Sequence, residues 1–174
     1  MNKRKSNRSL ALSAVIAALY VAVTYAQTAI FPGSTTMAVQ YRASEALCVL
    51  ALFTPSAIPG LTIGCVIANI VSLGALPVDM VLGAFASFLA ACAMYKMRSI
   101  TYKGVPYAAL LMPALFNGLI IGAEIEVFFI DGAFRISSFL VQGGLVALGE
   151  LAVLFTLGIA LVKIIKNKKL EKYL

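Results

Sequence analysis

Apolar residues run along this chain in long unbroken blocks, without the alternation of a half-buried strand or the one-sided stripe of a soluble helix. A helix needs about 20 apolar residues to cross a hydrocarbon core. The stretches 10–31, 57–76, 105–130 and 136–165 reach that length, and 80–95 is continuous but short. The segment 43–53 holds only 11 residues between Arg42 and the Thr54-Pro55 break. As an α-helix it would extend roughly 16 Å, about half the core. Starting it at residue 38 lengthens it, at the cost of including Arg42 and Glu45. The pattern predicts helices at 9–31, 38–53, 57–76, 79–95, 105–130 and 136–165, forming an all-α integral membrane bundle in one domain over residues 1–174.

Charge placement decides whether 38–53 counts as a span. Twelve of the 14 Lys and Arg residues fall in three clusters, at 3–8, 96–103 and 163–172. Basic residues favour the cytoplasmic side of a membrane. With 38–53 included, four crossings separate the first two clusters and two separate the last pair, so all three lie inside. Without it, the middle cluster falls outside. The expectation is therefore six transmembrane helices with both termini cytoplasmic. Glu45, Asp79, Glu124, Glu126 and Asp131 then gather toward the outer face, opposed by Arg42 and Arg135, and that face would steer cations inward. Tyr95, Tyr102 and Tyr107 suit the inner interface, and Pro55 with Pro59-Gly60 suits an inner turn. The first apolar run, at 22 residues, exceeds the roughly 7–15 of a signal peptide and is read as a retained helix.

Composition agrees with this class. The chain is 61% hydrophobic and 12% charged, with a mean hydropathy of +0.97. A net charge of +7 raises nucleic acid as a partner, but the basic residues lie between apolar runs and form no stripe with aromatics. Histidine is absent, which removes His-based relays and His-ligated metals. Cys48, Cys65 and Cys92 match no zinc or redox spacing. There is no Walker A sequence and no G-x-S-x-G, so neither ATP hydrolysis nor any other catalysis is expected of this chain, and no cofactor or metal.

The remaining polar residues within apolar stretches are the candidates for function. An ionised side chain at the centre of a spanning helix costs roughly 2.5–3.5 kcal/mol on insertion scales. Arg42 and Glu45 stand three positions apart. They read either as a structural ion pair or as ligand contacts at a wet cavity. Asn69 and Asn117 need buried partners, which a neighbouring helix or a ligand can supply. Glu124 and Glu126 face different sides of one helix, and Glu124 is the deeper. Glu150, near the middle of the last span, is the deepest acid. Asp79, just after Pro77, is placed to cap a helix. Phe128 can stack on a planar ring or belong to an aromatic belt. Ala14, Ala18 and Ala22 recur every four residues in the first helix, a surface that lets another helix approach closely.

The stretch Q-Y-R-A-S-E-A-L at 40–47 resembles the QueT family. So do P-S-A-I-P-G-L-T-I-G-C at 55–65, A-N-I at 68–70 and P-A-L-F-N-G at 113–118. These are substrate-binding S components of energy-coupling-factor (ECF) transporters, associated with queuosine precursors. The resemblance implies a prokaryotic cytoplasmic membrane protein that captures a 7-deazaguanine from outside, either pre-queuosine or queuine. It also implies a partner transmembrane T component and two cytoplasmic ATPases, which use the ATP and magnesium. Docking to those partners would run through Ala14, Ala18 and Ala22. On chemistry, the substrate contacts are expected among Gln40, Arg42, Glu45, Asn69, Asn117, Glu124, Phe128 and Glu150. A carboxylate can accept two N–H groups from the edge of a guanine-like base, and a second can hold an aminomethyl cation. Glu45 and Glu124 are the expected pair. An S component for another vitamin or nucleobase, and a self-sufficient homo-oligomeric carrier, are the alternatives.

Overall fold

The computed structural model describes residues 3–34, 39–71 and 77–174. The expected start of the second helix at residue 38 and the expected end of the third at 72–76 lie outside the described residues. Among those described, every regular element is helical. They are α1 (Lys3–Ile30), a 3-10 helix (Ala43–Leu52), α2 (Ala57–Val71), α3 (Pro77–Met97), α4 (Tyr107–Leu110), α5 (Met112–Phe128), α6 (Ile136–Val153) and α7 (Ile159–Asn167). A π turn at Leu154–Gly158 joins α6 to α7, and a short 3-10 turn at Leu170–Tyr173 follows. Four helical stretches are long and apolar enough to cross a membrane: Lys5–Ile30, Pro77–Met97, Tyr107–Phe128 and Ile136–Asn167. Ala43–Leu52 and Ala57–Ile70 are shorter apolar helices.

Two differences from the sequence pattern have local causes. The expected helix at 105–130 is broken near its start. Tyr102 and Val105 exchange backbone hydrogen bonds in a tight turn, and α4 stops before Pro113, whose ring takes the first turn of α5. The expected helix at 136–165 persists to residue 167 but carries the π turn, beside which Gly158 lies against Val49 of the 3-10 helix.

The segment at 43–52 lies in the interior of the bundle. Eight of its ten residues are buried, and α1, α2, α3, α6 and α7 all pack against it. At about 2.0 Å per residue, ten residues of 3-10 helix extend ~20 Å, against ~15 Å for an α-helix. The tighter winding thus carries a short sequence further along the bundle axis. Its poorer hydrogen-bond geometry is tolerated because protein surrounds it.

Small residues set how closely the long helices approach. A Cβ on Gly122 of α5 would sit 2.5 Å from Gly143 Cα of α6, and one on Gly143 would sit 2.5 Å from the Gly118 carbonyl oxygen. Across α1 and α2, a Cβ on Gly60 would lie 2.8 Å from the Ser13 carbonyl oxygen, and one on Gly64 would lie 2.8 Å from Tyr20 Cβ. Gly60-x-x-x-Gly64 and Gly118-x-x-x-Gly122 are therefore contact ridges, the device by which helices pack in lipid without a hydrophobic driving force between them.

The two ends of the bundle differ in charge. Arg8 donates to the carbonyls of Lys172 at 3.2 Å and Tyr173 at 3.1 Å, and Lys166 Nζ donates to Gly104 O at 3.0 Å. These contacts bring the three basic clusters to one end. Asp79 in the first turn of α3, with Glu124 and Glu126 toward the end of α5, occupies the other.

Replacing Gly122 with alanine is expected to destabilise the protein by about 1–3 kcal/mol through overpacking. Gly144→Ala, where a Cβ meets nothing within 4 Å, is the matched control and is expected to be neutral. Thermal unfolding of both variants in detergent checks this; equal midpoints would show that the α5–α6 crossing is not limited by close packing.

Candidate functional site

Residues 40–42 enter the bundle as extended chain, and Arg42 (φ −108°, ψ 102°) begins the 3-10 helix without a side-chain cap. Gln27 of α1 holds this entry. Its Oε1 accepts from the Ala43 backbone N–H at 2.7 Å, while its Nε2 donates to Ser34 Oγ at 2.9 Å and to the Tyr41 carbonyl. On the opposite side, Gly149 of α6 presents bare backbone to Gln40. A Cβ there would fall 2.2 Å from the Gln40 carbonyl oxygen. Residues 40–42 are thus held between α1 and α6.

One turn further on, Glu45 is 2% exposed, and both its oxygens are engaged. Tyr20 of α1 donates its hydroxyl to Oε1, and the Cys48 thiol donates to Oε2 at 3.0 Å. Beside them, the Thr24 hydroxyl donates to Ser44 Oγ at 2.8 Å. These bonds tie the start of the 3-10 helix to α1.

Gln40, Arg42 and Glu45 line a small polar void together with Asn117 of α5 and Glu150 of α6; Cys65, Gly83, Ser87 and Ile121 complete its wall. Asn117 Nδ2 donates to Glu150 Oε1 at 2.9 Å across the α5–α6 interface, whereas Glu150 Oε2 is buried with no hydrogen-bond partner. The half-buried Arg42 guanidinium interacts electrostatically with Glu45, Glu150 and Glu124. The void is about 10 Å³, the room of a single water.

The other expected site residues lie elsewhere. Asn69 is buried between α2 and α3, where its Nδ2 donates to the Asp79 carbonyl at 2.9 Å, so helix–helix bonding accounts for it. Asp79 itself sits inside the first turn of α3, past the cap position. Glu124 follows Asn117 and Ile121 on the same face of α5, seven residues along, toward the acidic end. Glu126 turns to the α5–α6 loop, accepting from the Arg135 backbone N–H at 3.1 Å with the Arg135 guanidinium 3.8 Å away. Phe128 is 57% exposed on the outer surface of α5, away from the void. Ala14, Ala18 and Ala22 line an open, almost wholly apolar groove between α1 and α2.

Sequence reasoning missed Gln27, Tyr20 and Ser87. A polar tip inside an apolar run was the available signal for the first two. Gln27 is a positioning residue by this geometry. Gln27→Leu is expected to free residues 40–43 and lower stability by about 1–3 kcal/mol through the unsatisfied Ala43 N–H. Hydrogen exchange at Ala43 is expected to rise in the variant, and unchanged protection there would contradict the assignment.

Comparison with curated proteins and with solved structures yields no match. Residues 10–167 match the profile of a family described as QueT transporter, which spans nearly the whole of the described bundle. The long apolar helices fit a multi-pass protein of the cell membrane. The chain belongs to the QueT transporter family.

Proposed function

We propose that this chain is the substrate-capturing S component of an ECF importer, and that it binds a 7-deazaguanine queuosine precursor at the cluster formed by Gln40, Arg42, Asn117 and Glu150. The observation that carries the reading is the buried, unpartnered Glu150 Oε2 beside an arginine, inside a transporter-family bundle. A carboxylate there accepts the paired N–H groups of a guanine-like edge, and Arg42 or a side-chain amide donates to the ring carbonyl. Glu45 holds the 3-10 helix in place, since Tyr20 and Cys48 occupy its oxygens. A two-ring base exceeds the present void, so residues 40–42 or a neighbouring helix move outward as it enters.

In this reading all six helical rods cross the membrane, and the basic end is cytoplasmic by the positive-inside rule. The site then opens toward the outer, acidic end. ATP-driven steps belong to two partner ATPases and a transmembrane T component. The apolar groove over Ala14, Ala18 and Ala22 supports docking to that T component, because small residues permit close helix approach.

Calorimetry on the purified chain is expected to show 7-deazaguanine binding that weakens about tenfold or more in Glu150→Gln and in Asn117→Ala. Phe128→Ala is expected to leave affinity unchanged. Failure of the wild type to bind any such base would refute the substrate, and full affinity in both site variants would refute the location. Ala18→Leu, on an exposed face, is expected to keep ligand binding while abolishing uptake by cells that hold the partner subunits. Normal uptake would remove the docking face, and transport by this chain alone in liposomes would favour a self-sufficient carrier.

A further inference from the structure

Tyr102, Tyr107 and Phe155 form a row of rings on the outside of the bundle. Tyr102 and Tyr107 stand 6.5 Å apart between centroids, and Tyr107 stacks on Phe155 at 6.1 Å. All three keep more than a third of their surface exposed. They come from separate elements: the turn at 102–105, α4, and the π turn that interrupts the last long span. Single π turns inside α-helices recur at functional sites, and this one carries Phe155. Tyr107 opens the span Tyr107–Phe128, and Phe155 lies within Ile136–Asn167. The row thus descends from the basic end of the bundle onto the apolar surface of two spans.

Two ammonium groups stand at the head of this row. Tyr102 and Val105 bond each other's backbone at 2.9 and 3.0 Å across a two-residue turn. Both central residues, Lys103 (φ 49°) and Gly104 (φ 78°), take left-handed backbone. Asn, Asp or Gly is the favoured residue at the first of these positions, whereas a lysine there gives up backbone preference for a long cationic side chain. Lys103 Nζ lies 5.5 Å from the Tyr102 ring centroid. Lys166 of α7 donates to Gly104 O at 3.0 Å, which fixes a second ammonium at the same turn and leaves its other two N–H groups available. Among the described residues no carboxylate comes within 4 Å of either ammonium. The positive-inside rule asks only that cations lie at this end. It does not account for two of them, drawn from distant parts of the chain, meeting over a row of exposed rings.

We propose that Lys103, Lys166 and the Tyr102–Tyr107–Phe155 row form a binding site for an anionic phospholipid. The phosphate sits between the two ammoniums, Tyr102 lies at headgroup level, and one acyl chain follows Tyr107 and Phe155 along the spans. Charge complementarity selects the headgroup, since basic pockets beside spanning helices attract anionic lipid. The exposed rings select a lipid over a free phosphate, which would leave them uncovered. The site lies on the outside of the bundle, whereas the polar void around Glu150 is interior, so it stands whatever that void binds.

Native mass spectrometry of the purified full chain, titrated with phosphatidylglycerol or with phosphatidylcholine of the same acyl chains, tests this. The anionic lipid is expected to bind about tenfold tighter or more. Lys103→Gln combined with Lys166→Gln is expected to cut that preference to about threefold or less. Lys5→Gln combined with Lys172→Gln removes the same charge from α1 and the final turn, and is expected to keep the full preference. Lys103→Gln alone, whose ammonium makes no hydrogen bond to the described residues, keeps the test clear of any loss of fold and is expected to lower the preference about threefold. Glycerophosphoglycerol, the same headgroup without chains, is expected not to displace the bound lipid at equal concentration. Equal affinity of the wild type for the two lipids, or a full preference in Lys103→Gln, would overturn the site. Equal losses in the two double variants would show a diffuse basic surface in its place, and displacement by the chain-free headgroup would overturn the lipid as its ligand.

Discussion

Ionised side chains inside an apolar bundle must be compensated by protein, and this constraint organises the interior. Arg42 is the cation that enters the centre of the cluster, and Glu45, Glu124 and Glu150 all lie within its electrostatic reach. The chain spends much of its polar inventory on holding that arrangement. Gln27 fixes the backbone on either side of Arg42, Tyr20 and Cys48 saturate Glu45, and Asn117 satisfies half of Glu150. Among the described residues, the buried carboxylate oxygens that lack a close hydrogen-bond partner belong to Glu150, Glu124 and Glu126, and Glu124 also interacts with Asp79. Two of those three acids line or extend the same polar track. In a medium where an unpaired buried charge is costly, such leftovers mark the places where a ligand can supply the missing partner.

Packing makes this polar interior possible. Bare backbone at Gly118, Gly122 and Gly143 draws α5 and α6 close enough for Asn117 to reach Glu150. The absent side chain at Gly149 admits the Gln40 backbone against α6. The 3-10 helix lies within the bundle, reached by five α-helices, so Glu45 near its start is buried in protein and Arg42 is partly covered. Burial of Ala43–Leu52 and placement of the cluster are therefore one arrangement: the segment too short to span as an α-helix is the one that carries Arg42 and Glu45 inside.

Much of the fold was legible in the sequence. The long apolar runs mark the long helices, and the three basic clusters anticipated that residues 8, 104 and 172 meet at one end. The inward course of Arg42 and Glu45 was legible from their cost in lipid. Other features were hidden for physical reasons. The 3-10 winding of 43–52 comes from tertiary enclosure, which local propensity does not encode. The π turn at Leu154–Gly158 and the break before Pro113 lie inside continuous apolar runs, where hydropathy is blind to backbone register. Asn69 and Phe128 carried the right chemistry for a site, but which way a helix face turns is set by packing. One faces α3 and the other the outer surface. Glu45 and Glu124 read as equivalent acids in sequence; only the contacts separate the saturated one from the unsaturated one.

The central claim is that the Arg42–Asn117–Glu150 cluster receives the ligand. Determining the structure of the chain bound to a 7-deazaguanine tests it most directly. The account predicts a base seated between residues 40–42, α5 and α6, with its N–H edge on Glu150. A base found in the apolar groove beside Ala14 and Ala18, or on the surface around Phe128, would contradict it.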